Sequence, residues 1–491
     1  MSDLEHKDGA KLARVLGPWT AICVIVGSVI GSGIFLVPST VAINAPSIGG
    51  IALVWLIGGV FSLAGALSLA ELGAMLPRAG GPYVYLRAAY GPTTAFLFGW
   101  TEFLVVRSGS MAALAAAFAR YFSRLVAAPA GVRIEIWQAI LAVSAIAILA
   151  TINVRGTKPA GNVQVIGTGI KLGALATMIA LPFALGKADF ALWTPLVPDR
   201  FNMTSFEGMM AAMVAVLWAY DGWVNLTPLA EEIEAPERNI PRALIGGMFV
   251  LIVIYLGMTL VYHLVLPLDR IAADRSSGAA ERPPVAFDYC NMLLGRAGSI
   301  AIAFVVSAST FISLNGNALC GPRTYFAMAR DGIFPARLAR IHRRFGTPAT
   351  AITAQASWAS ALTIASTLLI VVDPPKAGLP PPLIAFWTAA HKMPLYDLMY
   401  GYVIFGATIF YALCVSAVFV LRVRRPELDR PCKAWGYPVT PALYLAASAI
   451  LMISMLRKNP VEAFSGLAIT ALGFPAYLAF RGRSGSKTIE Y

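Results

Sequence analysis

Charge is scarce in this chain of 491 residues: 13% of positions are Asp, Glu, Lys or Arg, against about 25% in a soluble domain. So few charges cannot cover the surface of a water-soluble globule. Histidine is scarcer still, with His6, His263, His342 and His391 alone. No HExxH spacing and no paired carboxylates accompany them, which removes the convergent groups a membrane enzyme would need. The five cysteines, Cys23, Cys290, Cys320, Cys414 and Cys432, show no CxxC spacing. Neither a disulfide framework nor a metal or cofactor site is expected from them. The opening MSDLEHKDGAKLARVL is polar and is followed by no short apolar core with a small-residue cleavage site, so the first apolar segment is expected to stay in the mature chain. Repeated filter residues are also missing, which argues against a simple pore.

Apolar residues are what the chain has in excess: 58% of positions and a mean hydropathy of +0.71. Runs of roughly 20 apolar residues are long enough to cross a hydrocarbon core of about 30 Å as helices. They fall near 17–43, 47–75, 93–122, 134–153, 161–186, 204–230, 241–267, 298–329, 349–372, 398–422, 437–456 and 461–480, which predicts twelve spans in an all-α polytopic membrane protein. The loops between them, including 268–297 and 373–397, are too short for a soluble domain. One membrane domain over 17–480 is expected, between tails at 1–16 and 481–491.

The net charge of +13 would suit a nucleic-acid partner, but basic residues also collect on cytoplasmic loops. With the N-terminus inside, 23 of the 38 Lys and Arg residues fall on the cytoplasmic side, many between Arg323 and Arg344. The reading is therefore a multi-pass protein of the cell membrane with both termini cytoplasmic, its partner a lipid bilayer and not a nucleic acid.

Two spans are interrupted. The first, VIVGSVIGSGIFLVPS, breaks at Gly31-Ser32-Gly33, and the sixth carries Asp221-Gly222 inside LWAYDGWVNLTPLAEEI. Paired interruptions at positions one and six are the mark of inverted-repeat transporters, which bind substrate between two broken helices. On that view repeat one covers 17–186 and repeat two 204–422, with helices eleven and twelve at 437–480. An unwound turn in hydrocarbon leaves amides and carbonyls without partners. A zwitterion satisfies both, its carboxylate at a half-helix N-terminus and its ammonium at a half-helix C-terminus. Close packing is the alternative for the first span, because Gly27 and Gly31 make a small-xxx-small pattern.

These residues carry a resemblance. GSGIFLVPS, AELGAMLPRAGGPYVYLRAAYG, WAYDGW with EEIEAPERNIPRAL, SASTFISLNGNALCGPRTYFAMARDGIFP and RPCKAWGYPVTP occur in order along nearly the whole chain. The sequence resembles the amino acid–polyamine–organocation superfamily and, within it, the L-amino acid transporter family. The resemblance implies a LeuT-like fold of twelve helices with a 5+5 inverted repeat, moving amino acids by alternating access, often by sodium-independent exchange. It implies that the amides of Gly31, Ser32 and Gly33 hold the substrate carboxylate. The amino group falls to carbonyls of Val29 or Ile30 and of Trp218 or Ala219, and Trp218 would gate the site. The sequence departs from many relatives in having Asp221 and Val224 where they carry Gly and Asn, although Asn225 follows. The loop YFSRLVAAPAGVRIEI lacks the cysteine that links some relatives to a glycoprotein, so no disulfide-linked heavy chain is expected.

Four ionisable residues lie inside spans, where each is costly: Glu102, Arg107, Lys171 and Asp221. Lys171 is about ten residues into the fifth span. The resemblance puts it where sodium-coupled relatives bind sodium, with Ser309 or Thr310 beside it, able to bond the carbonyls of the unwound first helix. Its alternative is a buried structural cation. Asp221 would face a cationic side chain or cap the second half-helix. Glu102 and Arg107 are five residues apart, about 140° around an α-helix, and are expected to find partners on neighbouring helices rather than each other. The functional expectation is a secondary amino-acid exchanger for neutral L-amino acids, with cationic ones left open. Proton-coupled uptake of amino acids or polyamines is the competing expectation.

Overall fold

The computed structural model describes residues 12–45, 47–197, 203–272, 284–375, 395–458 and 460–481, with a few single residues between 376 and 394. The expected tail up to residue 11 and the tail after 481 lie outside them. Among the described residues the secondary structure is helical apart from one isolated bridge between Leu16 and Ile233. In chain order the helices are α1 Pro18–Val29, α2 Gly33–Asn44, α3 Ile48–Met75, α4 Pro82–Tyr90, α5 Pro92–Thr101, α6 Arg107–Phe122, α7 Ile134–Arg155, α8 Thr157–Ala184, α9 Met203–Tyr220, α10 Pro236–Tyr262, α11 Leu268–Ala272, α12 Val285–Leu294, α13 Arg296–Arg330 and α14 Ala349–Val371. Helices over Leu395–Arg424, Val439–Lys458 and Pro460–Arg481 follow.

Proline supplies several of the starts. Pro18, Pro82, Pro92 and Pro236 stand in the first turn, where no intrahelical amide bond is lost. Ser47 caps α3 by accepting from the Gly50 amide at 3.1 Å. Ten helical stretches among the described residues are long and apolar enough to cross a membrane, and the bent pair α1 and α2 makes an eleventh. The segment expected as the twelfth is the helix Pro460–Arg481, whose apolar stretch Gly466–Phe480 is shorter.

Three departures from regular helix converge in the middle of the bundle. Ile30, Gly31 and Ser32 separate α1 from α2, whose axes differ by 44°. Asp221 and Gly222 end α9 in a turn, Gly222 with φ +116°, a conformation that glycine adopts without strain. The chain then runs as a ten-residue 3₁₀ helix, Trp223–Glu232, containing Pro228. Such runs seldom exceed four residues. The third departure is a π-helical turn, Glu102–Val106, between α5 and α6.

Part of the expected N-terminal tail is packed. Leu12 and Leu16 are buried, the amides of Val15 and Leu16 donate to Glu232 O at 2.9 and 3.0 Å, and the Glu234 amide donates to Leu16 O at 3.0 Å. The last carbonyls of a helix need donors from outside it, and this segment provides two for the final carbonyl of the 3₁₀ run.

The same end of the bundle carries a layer of ion pairs. Arg323, fully buried, donates Nε to Glu232 Oε1 at 2.7 Å and Nη2 to Oε2 at 3.1 Å, and Thr157 donates to the same carboxylate. Glu231 accepts from Arg330 and from the Leu12 amide, and Glu71 accepts from Arg422 and from the Ala434 amide.

Candidate functional site

A small cavity lies at the meeting of the first break, the Asp221-Gly222 turn, α6 and α13. Gly31, Ser32 and Gly33 line it with Ser28 and Val29, and Trp218, Asp221, Gly222 and Asn225 face them. Arg107, Ser110 and Leu114 of α6 and Asn317 of α13 complete the wall. Trp218 and Asp221 also line a second, more aromatic cavity with Phe61, Trp223, Tyr411 and Tyr444.

The two breaks touch because glycine stands at the crossing. A Cβ on Gly33 would lie 2.7 Å from both Cα and Cβ of Ala219, closer than carbon atoms pack. Gly27 serves packing as well, since a Cβ there would meet Thr168 Oγ1 at 2.2 Å and Gln164 Nε2 at 2.4 Å. α2 begins at Gly33, so the amides of Gly33 and Ile34 have no acceptor within their own helix. They point the positive end of the α2 dipole toward the break.

The carbonyls before the break are held by side chains from other helices. Lys171 Nζ donates to Gly27 O and Ile30 O, each at 2.6 Å, and to Ser313 Oγ at 3.0 Å. Ser309 Oγ lies 2.9 Å from Ile30 O and 3.1 Å from Gly31 O, and Ser313 Oγ lies 2.9 Å from Gly27 O and Ile30 O. Thr310, the other candidate on α13, turns away: its hydroxyl bonds Val306 O and Ser307 O of its own helix. Ser313 is one helical turn beyond Ser309 and shares its face, so Ser313 takes the position that had been offered to Thr310.

Two of the remaining carbonyls named from sequence are joined by one phenol. Tyr255 OH of α10 is 3.1 Å from Val29 O and 2.9 Å from Ala219 O. Trp218 O accepts from the Asp221 amide at 3.1 Å. Carbonyl oxygens carry two lone pairs each, so the oxygens of Trp218 and Ala219 keep capacity for an ammonium. Tyr255 carries no motif, and only its contact with both breaks reveals it.

Arg107 and Glu102 correct the expectation drawn from an α-helical spacing. They form an ion pair, Arg107 Nε to Glu102 Oε2 at 2.5 Å, both buried. In the π turn the Arg107 amide bonds Glu102 O, the i to i+5 pattern that brings residues five apart onto one face. Arg107 Nη1 donates to Asn225 Oδ1 across the cavity, and Asp221 is a further electrostatic neighbour. Sequence reasoning had left Arg107, Asn225, Ser28 and Asn317 out of the site. Among the described residues no cluster of three or more His, Cys, Asp or Glu side chains is arranged to hold a metal.

The chain is 30% identical over 486 residues to the serine/threonine exchanger SteT of Bacillus subtilis, an alignment covering 98% of this chain and all of that protein. It is 30% identical to the mouse large neutral amino acids transporter small subunit 2, over 96% of this chain and 81% of the relative. It is 27% identical to the human cystine/glutamate transporter, over 96% and 86%. These relatives are transporters, not enzymes. The family described as amino acid permease matches residues 16–472, and a match over nearly the whole chain, together with the two broken spans that meet at one cavity, makes this chain a member of the amino acid permease family.

Proposed function

We propose that the chain is a sodium-independent exchanger of L-amino acids working by alternating access, with twelve spans in a 5+5 inverted repeat and both termini cytoplasmic. The substrate carboxylate would meet the amides of Ser32 and Gly33 beside Gly31. Its ammonium would meet carbonyls among Val29, Ile30, Trp218 and Ala219, and Trp218 would close over it. Asp221 admits cationic side chains beside neutral ones.

One observation carries the reading. The Lys171 ammonium lies among the carbonyl oxygens of the first break, a place where an oxygen-liganded cation would otherwise supply the charge. A resident cation removes the need for sodium, and the ion-paired end of the bundle joins the second broken span to α8 and α13, elements that alternating access has to part.

The relatives above are named for substrates of different classes, serine and threonine, large neutral amino acids, or cystine and glutamate. Exchange is common to the reading; the side chain has to come from the site. The name of the mouse protein includes "small subunit", yet the loop between Phe122 and Ile134 here has no cysteine, and we take the chain to work without a disulfide-linked partner.

The test is counterflow in proteoliposomes of the purified chain. Uptake that requires internal amino acid and is equal in sodium and choline salts is the expected result. Net uptake into empty vesicles under an acid-outside gradient would favour the proton-coupled alternative, with Lys171 as the group that exchanges a proton. No saturable amino-acid uptake in either mode would end the proposal.

A further inference from the structure

Charge does not balance around the two cavities. One guanidinium, Arg107, has two carboxylates as electrostatic neighbours, Glu102 and Asp221, so the cluster carries one negative charge in excess when both acids are ionised. Arg107 is already committed: it donates Nε to Glu102 at 2.5 Å and Nη1 to Asn225, and only its field reaches Asp221. Lys171 does not make up the difference. Its ammonium is bonded to Gly27 O, Ile30 O and Ser313, and it lines neither cavity. The phenols of Tyr411 and Tyr444 also neighbour Asp221, and phenols are neutral near pH 7. No further titratable side chain lines either cavity among the described residues. An uncompensated charge in such surroundings is costly. Asp221 is the acid that a ligand can reach, because it lines both cavities and Glu102 lines neither.

We propose that Asp221 holds a proton when the bound amino acid is neutral and gives it up when the side chain is cationic, so that arginine or lysine exchanges against a neutral amino acid plus one proton. The inference rests on the reading of this cavity as an amino-acid site. With leucine bound, an O–H bond on the Asp221 carboxyl keeps the cluster neutral. When a guanidinium or ammonium enters, that bond breaks, the proton passes to water on the side from which the cation came, and the carboxylate pairs with the cation. After the cation is released on the other side, Asp221 takes a proton from that side before a neutral amino acid binds. The two loaded states then carry the same charge. Cationic-for-neutral exchange therefore moves no net charge, and one proton travels with the neutral partner. Neutral-for-neutral exchange moves a proton each way, with no net transfer.

The experiment is exchange by the full-length chain in proteoliposomes that contain a trapped pH-sensitive dye. Vesicles loaded with leucine and diluted into arginine should become alkaline inside by about one proton per arginine taken up. The reverse loading should acidify them, and leucine-for-leucine exchange should leave the internal pH unchanged. A potassium potential set with valinomycin should not alter the rate of arginine-for-leucine exchange. Exchange at steady internal pH that speeds up at inside-negative potential overturns the proposal while amino-acid exchange stands, as does leucine exchange with no transport of arginine or lysine. If no amino acid exchanges, the reading of the cavity and the proposal fall together. Calorimetry of the purified protein at pH 7, in buffers of different ionisation enthalpy, locates the proton. Arginine binding should release about one proton and leucine binding none, and Asp221→Asn should release none with arginine. Equal proton release by Asp221→Asn overturns the assignment to Asp221; should that variant fail to fold, equal release by arginine and leucine in the unmutated protein overturns the proposal without it.

Discussion

Replacing Lys171 with alanine removes three hydrogen bonds from an ammonium that sits 2.6 Å from two carbonyls of the first break and 3.0 Å from Ser313. Hydrogen bonds from a charged donor contribute about 1.5–3 kcal/mol each to a folded structure. The full sum is not lost, because Ser309 and Ser313 still reach Ile30 O and Ser313 still reaches Gly27 O. Counting the two carbonyl bonds and returning one to the serine hydroxyls leaves one bond, about 1.5–3 kcal/mol, which is roughly a 10- to 100-fold change in an equilibrium constant. If the break must be held in shape for the substrate carboxylate to reach the Ser32 and Gly33 amides, that change should appear as weaker substrate binding. The assay is half-saturation of counterflow alongside equilibrium binding in detergent, with Lys171→Met as a control of similar length. Both variants should bind substrate at least about tenfold more weakly, and sodium should restore part of the loss in Lys171→Ala, since hard cations take oxygen ligands such as those left behind. Binding within threefold of the unmutated protein, in sodium and in choline alike, would refute the argument that the ammonium organises the site.

Gly33→Ala should lower substrate affinity at least about tenfold, because the new methyl group meets the Ala219 backbone at 2.7 Å and overpacking of this kind costs about 1–3 kcal/mol. Gly169→Ala on α8, where a Cβ meets nothing within 4 Å, should leave binding unchanged and raise thermal stability slightly; parallel effects in the two variants would contradict the crossing argument. Arg323→Met strands the buried Glu232 carboxylate and should destabilise the protein by about 3–5 kcal/mol, with Arg323→Met/Glu232→Gln recovering part of it in thermal unfolding. Asp221→Asn should reduce uptake of arginine or lysine far more than uptake of leucine, and an equal loss for both would remove the side-chain role of Asp221.

Much of the site was legible because its chemistry forces composition. A bend at mid-membrane requires residues that tolerate an unwound backbone, and Gly31-Ser32-Gly33 and Asp221-Gly222 announce it by their types alone. Lys171 announced itself by being a lone cation deep in an apolar run. Its partners were half legible: Ser309 was named, and the next residue on its face, Ser313, follows from helical spacing, whereas Thr310 is about 100° away around the helix. Tyr255, Ser28 and Asn317 were not legible, since a tyrosine, a serine and an asparagine in a helix carry no mark of what they face.

The case of Glu102 and Arg107 shows where spacing arguments stop. Angles around a helix assume its period, and the period changes in the π turn from Glu102 to Val106. That change pairs the two side chains and aims Arg107 at Asn225, itself on the 3₁₀ run after the second break. The π turn, the 3₁₀ run and the unwound Ile30 to Ser32 segment meet around one cavity. Irregular backbone at membrane depth persists only where protein or a water-filled cavity satisfies it. The residues that period-based reasoning misassigns are therefore concentrated around the candidate site, and a pair that looks impossible on an α-helix marks where the helix has been altered.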